Sequence, residues 1–302
     1  MRGFWQKCIK QKYLIFMVLP GFLILLLFHY YPIYGLQIAL KDYNIGLGIS
    51  GSPWAQPLTK WFSMFLKTPN APRLFSNTLL LGFYSLLFNF PAPIFLALLI
   101  NEVQNTKFKK TVQTISYLPH FISTVIIVGL LKELFSYSGP VNALLANLGA
   151  GRINFMTESG WFRTLFIGSA IWKEVGWGTI IYLAALSGID PEMYEAAGID
   201  GANRWHKMIY ITLPFILPTI SILFILDSGR ILNADFQKVM LMYNPEVYKT
   251  ADIVNTYTFR EGFENMRYSY SSAVGLMMSV ISFIFLLVTN QVSKRLSDNS
   301  LL

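Results

Sequence analysis

The sequence predicts an all-α membrane protein with six transmembrane helices. Of its 302 residues, 54% are hydrophobic and only 13% are charged, whereas soluble domains carry about 25% charged residues. The mean hydropathy is +0.46. Six mainly apolar runs each approach the length of about 20 residues that a spanning helix needs. They cover residues 14–34, 77–100, 117–135, 162–187, 211–232 and 273–292.

The spans should be helices, because the bilayer interior offers no water to hydrogen-bond an unpaired backbone group. The first run follows the basic residues Arg2, Lys7, Lys10 and Lys12, as the apolar part of a signal peptide would. It is longer than such a segment usually is, and Tyr30-Tyr31-Pro32-Ile33-Tyr34 contains no small-residue cleavage site. We therefore expect it to be a retained helix.

Basic residues predict the orientation. With the N-terminus inside, segments 1–13, 101–116, 188–210 and 293–302 hold 11 Lys and Arg in 62 positions. The outer segments 35–76, 136–161 and 233–272 hold 9 in 108. Because Lys and Arg accumulate in cytoplasmic loops, both termini are expected in the cytoplasm of a chain that crosses the membrane several times.

This topology divides the chain into four parts. Residues 1–13 form a cytoplasmic tail, 14–76 hold the first helix and an extracellular segment, 77–292 form the transmembrane core, and 293–302 form a second cytoplasmic tail. We find no internal repeat.

Several classes of function are disfavoured by what the sequence lacks. The net charge of +8 comes mostly from basic residues beside apolar runs, so it predicts membrane orientation and not nucleic-acid binding. Cys8 is the sole cysteine, which excludes an internal disulfide and favours an ordinary free thiol. No Gly-Lys dipeptide, zinc motif or serine elbow occurs. We therefore expect no enzyme activity, no metal and no cofactor in this chain.

The segment between the fourth and fifth spans predicts a helical hairpin. Asp190 is a good N-cap and Pro191 a good first helical residue. Gly201 can supply the turn, and Asp200 can cap a second helix that leads into span five. The hairpin would expose three apolar side chains, Tyr194, Ile199 and Trp205. Exposed apolar surface fits a partner site, and it fits an amphipathic helix on the inner leaflet equally well.

A motif within this hairpin resembles that of bacterial ABC import permeases. The family pattern is Glu-Ala-Ala, three residues, Gly, nine residues, then Ile-x-Leu-Pro. Every position of it is met here, and the motif precedes the fifth of six predicted spans, as in the family. The resemblance implies an ATPase-coupling role for Glu195, Ala196, Ala197, Gly198, Asp200, Gly201, Ile211, Leu213 and Pro214.

The resemblance also implies the location, a bacterial plasma (inner) membrane, as well as the partners and the mechanism. A second, related permease would complete an alternating-access pathway, two ATPase subunits would hold ATP and Mg, and an external binding protein would deliver the solute. Residues 186–191 resemble the corresponding segment of sugar permeases, and residues 250–275 resemble that of permeases for oligosaccharides or polysaccharide fragments. Carbohydrate is therefore the expected substrate.

Ionisable and aromatic residues within the spans are candidates for the substrate path, because buried charge in a membrane usually faces a cavity or a partner. They are Trp172, Lys173, Glu174, Trp177, Asp227 and Arg230. For Lys173 and Glu174 the central position favours a cavity over an ion pair. For Asp227 and Arg230, three apart on one helix, both interpretations remain open.

The remaining polar residues of interest are less informative. His29, His120 and His206 have no spacing that suggests a partner, so we interpret them as structural. Asn77, Asn89 and Asn101 fit either a bond between helices or a path lining.

Three alternatives to a sugar importer remain at this stage. Permeases for other solutes share the coupling motif. A secondary transporter would need a complete pathway and often shows internal repeats. An intramembrane enzyme would need a set of catalytic residues at membrane depth, and we find none.

Overall fold

All regular elements in the described part of the chain are helices. The computed structural model describes residues 11–232 and 234–297, with side chains up to Gln291. Residues 1–10 and 298–302 of the two predicted tails, and with them Cys8, lie outside the described residues. The α-helices are α1 Lys12–Leu25, α2 Gly48–Gly51, α3 Lys60–Leu66, α4 Ala71–Tyr84, α5 Pro91–Glu102, α6 Thr106–Tyr117, α7 Thr124–Leu134, α8 Pro140–Asn147, α9 Ser159–Leu186, α10 Pro191–Ile199, α11 Arg204–Lys207, α12 Leu213–Ser228, α13 Phe236–Met242, α14 Tyr248–Ala251, α15 Val254–Phe259 and α16 Tyr268–Ser297.

Short π-helical and 3₁₀-helical segments lie between several of these helices. The π-helical turns are Leu26–Tyr30, Ser85–Asn89, Met208–Thr212 and Arg260–Glu264. The 3₁₀ segments are Tyr31–Leu40, Leu118–Phe121 and Pro245–Val247.

Four helices in the described residues are long and apolar enough to cross a membrane, namely Lys12–Leu40, Ala71–Glu102, Arg204–Ser228 and Tyr268–Gln291. Each extends beyond the predicted span at one or both ends. The predicted fourth span coincides with α9, whose 28 residues would measure about 42 Å at 1.5 Å per residue. Lys173 and Glu174 near its middle make α9 less apolar than the other four.

The predicted third span is not one straight helix. Thr106–Phe121 and Thr124–Leu134 meet at an angle of 98°. Pro119 lacks a backbone N–H, which weakens the helix at this point. Ser123 then starts α7 as an N-cap, its Oγ accepting from the N–H of Ile126 at 3.4 Å. The pair adds a fifth apolar span if it is counted as one.

The chain divides into two compact units. The first comprises residues 1–68 and 258–277, and the second comprises 69–257 and 278–302. In the first unit, α1 and the turn Leu26–Tyr30 contain no buried residue, as expected of a helix that faces lipid. Lys41 bridges to Trp54, and Tyr270 packs edge-on against buried Phe65.

The second unit is built around α9. One core cluster gathers Phe162, Leu165 and Phe166 of α9 with Leu81 and Val239. Another gathers Tyr182 and Leu186 with residues of α5 and α12. The two clusters hold opposite ends of α9, so its middle is positioned between them.

Two glycines allow the neighbours of α9 to approach its middle. A Cβ at position 176 would overlap the carbonyl oxygen of Ser116 in α6, and a Cβ at position 178 would lie 2.7 Å from Cγ of Pro93 in α5. A side chain at either position would push the neighbouring helix away, so these contacts depend on glycine.

We predict that Gly176→Ala destabilises the second unit by about 1–3 kcal/mol, the usual cost of overpacking. Gly168→Ala on the same helix is the matched control, because a Cβ there meets no atom within 4 Å. It should leave stability unchanged or slightly raised, since alanine favours helix over glycine. Thermal unfolding of the purified protein in detergent measures both. Equal midpoints for the two variants would show that α9 does not depend on this contact.

Candidate functional site

A cavity of about 500 Å³, which we call the central cavity, lies within the second unit. Its volume is in the size range of small-molecule sites. Its aromatic lining residues are Phe90, Phe166, Trp177 and Tyr182. Its polar lining residues are Ser85, Asn89, Glu174, Asp227, Arg230, Asp235 and Lys238. The cavity therefore combines ring surfaces with hydrogen-bonding and charged groups of both signs.

Helix periodicity explains which residues of α9 reach the cavity. Positions 166, 170, 174, 177, 178, 181 and 182 line it, and steps of three or four residues return to the same face of a helix. Trp172 is two positions from Glu174 and points away from this face, with 48% of its surface exposed. Trp172 and Lys173 are thus absent from the lining, whereas Glu174, Trp177, Asp227 and Arg230 belong to it.

Glu174 is held by two neighbours. Its Oε2 lies 2.7 Å from Nδ1 of His120, and its Oε1 lies 3.6 Å from Nζ of Lys173. Lys173 in turn donates to Oγ1 of Thr124 at 3.4 Å. A cation beside the carboxylate offsets the cost of placing a charge within a mainly apolar helix. Lys173 therefore supports Glu174 from behind the cavity wall.

His120 has a partner that its sequence spacing does not reveal. Its ring stacks on Trp177 with centroids 4.4 Å apart and planes within 1°. Phe121 meets the same indole edge-on at 5.5 Å. The bend between α6 and α7 carries His120 and Phe121 to this position. The fold thus joins His120, Glu174 and Trp177 into one cluster at the cavity wall.

Asp227 and Arg230 do not lie on one helix as predicted. α12 ends at Ser228, and Gly229, a poor helix former, follows it. The N–H of Arg230 donates to the carbonyl of Asp227 at 3.0 Å in the resulting turn. Both side chains line the cavity, so the turn adds one acidic and one basic group to its wall.

Asn89 is the one of the three asparagines that lines the cavity. It ends the π-helical turn Ser85–Asn89, which comes just before Pro91. Its Oδ1 is buried without a hydrogen-bond partner, an arrangement that is costly unless a ligand or water completes it. Asn77 instead joins structural elements, donating to the carbonyl of Asp252 at 2.9 Å.

Lys238 is a cavity residue that sequence reasoning did not find. Asp235 caps α13 by accepting from the N–H of Lys238 at 3.0 Å. The buried ammonium donates to the carbonyl of Phe166 at 2.7 Å. Burial lowers the pKa of Lys238 to about 8, partly offset by Asp235. No local motif marks such a lysine, because its surroundings come from α9.

Two short helices, α10 and α11, lie where the hairpin is predicted, and one of the two caps differs from the prediction. The side chain of Asp190 accepts from the N–H of Glu192 at 3.0 Å, and α10 begins at Pro191. Gly201 has φ +78°, a conformation that strains other residues. The second helix is capped by Asn203 and not by Asp200, because the short α11 begins only at Arg204.

The hairpin exposes two of its three large apolar side chains together with the first residue of the motif. Ile199 is 89% exposed and Trp205 is 67% exposed, and Glu195 is exposed as well. Tyr194 differs from the prediction, because it is half-buried and its hydroxyl lies 2.9 Å from Oγ1 of Thr212. Tyr194 thereby ties the hairpin to the base of α12.

The other motif residues take three kinds of position. Ala196, Gly198, Asp200 and Pro214 are exposed. Ala197 is half-buried. Ile211 and Leu213 pack against the core cluster of Tyr182, Leu186 and Ile216. The apolar end of the motif therefore anchors a hairpin whose tip is free in the described chain.

Residues 61–298 match the family of binding-protein-dependent transport system inner membrane components. The chain belongs to this family. It is accordingly a multi-pass membrane protein, and several of its relatives are named as transport permeases.

Two Bacillus subtilis proteins illustrate the relationship. Protein LplB is 42% identical over 299 residues, covering 98% of this chain and 93% of its own. The polygalacturonan/rhamnogalacturonan transport system permease protein YteP is 43% identical over 296 residues, covering 98% and 92%.

A solved structure agrees with the fold. It is the crystal structure of a bacterial alginate ABC transporter in complex with an alginate pentasaccharide-bound periplasmic protein. One of its chains superimposes with a TM-score of 0.89 at 41% identity, covering 98% of this chain and 99% of that one.

We predict that Glu174→Gln lowers solute uptake about tenfold or more. The reason is that an amide oxygen accepts weaker hydrogen bonds than a carboxylate does from charged or hydroxyl donors. Glutamine keeps the volume, so the protein should still assemble. Glu158→Gln is the matched control: it makes the same change at the exposed N-cap of α9.

Initial uptake rates and the yield of folded protein are measured for both variants. If Glu174→Gln lowers the yield of folded protein but leaves uptake per molecule unchanged, Glu174 has a structural role in an ion pair and no role in transport.

Proposed function

We propose that this chain is the permease subunit of an ATP-binding-cassette importer for oligosaccharides, and that the central cavity is part of the sugar path. The observation that carries the proposal is the lining of that cavity. Aromatic rings pack on the apolar faces of sugars, and carboxylates, amides and cations bond their hydroxyls. The saccharides named for YteP and for the alginate transporter support the same substrate class.

Each polar residue has a role in this proposal. Glu174 and Asp227 accept bonds from sugar hydroxyls, and Arg230 donates to them. Asn89 brings the unpartnered Oδ1 that a hydroxyl would complete. Trp177 offers the part of its ring that His120 leaves uncovered, since 41% of the residue remains exposed.

The proposed topology has six spans with both termini in the cytoplasm. α9 counts as a span despite its charges, because Lys173, Glu174 and His120 satisfy one another. The bent pair α6 and α7 counts as another, since irregular backbone is tolerated at membrane depth where protein covers it. The basic-residue asymmetry supports the orientation.

In this topology the hairpin of α10 and α11 faces the cytoplasm, where we propose that it docks on a separate ATPase subunit. The exposed Ile199 and Trp205 offer apolar contact, and Glu195 offers a charge. Two such ATPase subunits would hold ATP and Mg, and this chain would bind no cofactor and catalyse no reaction itself.

Two further partners complete the proposed importer. A second, related permease would supply the other half of the pathway. A binding protein outside the membrane would deliver the sugar, as the name of the alginate complex supports.

The orientation predicts opposite labelling of two cysteine variants. In a Cys8→Ser background, Lys249→Cys should react in intact cells with a membrane-impermeant thiol reagent, and Arg204→Cys should react only after permeabilisation. Both positions are exposed, so accessibility within the protein is matched. The reverse pattern would overturn the orientation and the coupling role with it.

Coupling predicts that Glu195→Ala or Gly201→Asp weakens ATPase association or uncouples hydrolysis from uptake. Truncating one partner of a charged interface pair costs about 2–5 kcal/mol, and a side chain at the φ of Gly201 costs about 1–3 kcal/mol. Co-purification of the ATPase and transport-stimulated ATP hydrolysis in vesicles measure both effects.

The chain offers a matched control for each variant. Glu246→Ala removes an equally exposed carboxylate from a segment assigned to the outside. Gly149→Asp imposes the same strain, because Gly149 has φ +80° and, like Gly201, no atom within 4 Å of an added Cβ. Both controls should keep association and coupling. Equal behaviour of variants and controls would contradict the role of the hairpin.

A further inference from the structure

The first unit contains a cavity of its own, of about 420 Å³. We call it the outer cavity. Its lining comes from two stretches of chain, residues 42–61 and 266–270, that are far apart in sequence. Four aromatic side chains surround it, namely Tyr43, Trp61, Tyr268 and Tyr270.

Polar groups accompany these rings. Asp42 and Asn44 provide acceptors, and Lys60 and Arg267 provide donors. The central cavity shows the same combination, with rings beside carboxylates, an asparagine, a lysine and an arginine. Two cavities of similar size and similar chemistry suit the same kind of ligand.

Internal bonds hold the outer cavity open in a defined shape. Nζ of Lys60 donates to both carboxylate oxygens of Asp42 at 2.9 Å. Nε1 of Trp61 donates to the carbonyl of Lys41 at 3.0 Å. Oγ of buried Ser269 accepts from the N–H of Tyr43 at 2.9 Å. A preformed wall reduces the entropy lost when a ligand binds.

The floor and the rim differ in exposure. Tyr270 is 1% exposed and forms the floor, and the guanidinium of Arg267 lies 4.4 Å over its ring. At the rim, the side chains of Asp42, Lys60 and Arg267 remain 37%, 36% and 42% exposed. Tyr268 meets Tyr43 edge to face at 6.0 Å. The charged groups can therefore reach a ligand that rests against the rings.

Charge balance narrows the class of ligand. Lys60 is neutralised by Asp42, and Arg267 pairs with Glu261. A site for phosphate or another dense anion would contain cations without an acidic partner, whereas Lys60 and Arg267 each have one. Ring faces with paired charges fit a polyhydroxylated ring, with or without one carboxylate.

We propose that the outer cavity is a second saccharide-binding site, which holds a pyranose unit separately from the central cavity. The inference rests on the proposed function, because it assumes that the transported solute is an oligosaccharide. All of its lining lies in the outer stretches 35–76 and 233–272 of the proposed topology, so the site would be reached from outside the cell.

The test measures saccharide binding to the complete transporter complex in nanodiscs, without its binding protein. Trigalacturonate and maltotriose are the two probes, titrated by calorimetry. Wild type should show two classes of site. Tyr268→Ala, which removes a ring, and Asp42→Asn, which keeps the volume, should each weaken one class about tenfold.

Matched controls make the changes elsewhere in the first unit. Tyr31→Ala removes an exposed tyrosine, and Glu264→Gln neutralises an exposed carboxylate. Neither residue lines the outer cavity, so binding should be unchanged in both. Glu174→Gln should weaken only the other class of site.

Each outcome separates this inference from the proposed function. Binding of trigalacturonate alone supports a saccharide site that selects uronates, and binding of both probes supports a site that recognises ring hydroxyls. A single class of site, lost in Glu174→Gln and unchanged in Tyr268→Ala and Asp42→Asn, overturns the outer site and leaves the sugar path intact. Absence of all saccharide binding overturns both.

One further outcome would reassign the cavity. If Tyr268→Ala and Asp42→Asn leave saccharide binding unchanged but weaken association of the external binding protein, the outer cavity is a protein-docking surface and the saccharide proposal is wrong.

Discussion

The close approach of helices at the middle of α9 is the constraint on which the central cavity depends. Gly176 and Gly178 present no side chains toward Ser116 and Pro93, so α5 and α6 can lie against α9. This contact sets the position of the α6–α7 bend, which carries His120 and Phe121. The stacking of His120 on Trp177 and its bond to Glu174 follow from that position. Two missing side chains thus determine where the ionisable ones meet.

Much of this arrangement is local, and sequence reasoning reaches it. Apolar runs predict four of the long helices and the extent of α9, because the need to satisfy backbone groups in lipid acts on each run separately. Asp190, Pro191 and Gly201 predict the hairpin, since caps and turns depend on neighbours in the chain. Charge within an apolar run marks Glu174, Asp227 and Arg230 as cavity candidates.

The remaining features depend on contacts between distant segments. The partner of His120 is 54 residues away, and the carbonyl that receives Lys238 is 72 residues away. Trp172 and Lys173 share the composition of a site but face the wrong side of α9. The position of Trp172 around the helix excludes it from the cavity lining, but only the structure shows which face of α9 lines the cavity. The Asp200 cap failed for a different reason, because Asn203 lies closer to the start of α11 and competes for the same role.

The charged pair in α9 also bears on how the protein is made. A charged side chain such as Lys or Asp at the centre of a membrane helix costs about 2.5–3.5 kcal/mol during insertion, and the proposed span α9 carries two charged residues there, Lys173 and Glu174. The groups that relieve this cost, His120 and Thr124, belong to the preceding helices. Because synthesis runs from the N-terminus, these helices have already left the ribosome when α9 emerges. In the proposed six-span topology, these earlier segments are therefore available to relieve the charge of α9 when it enters the bilayer.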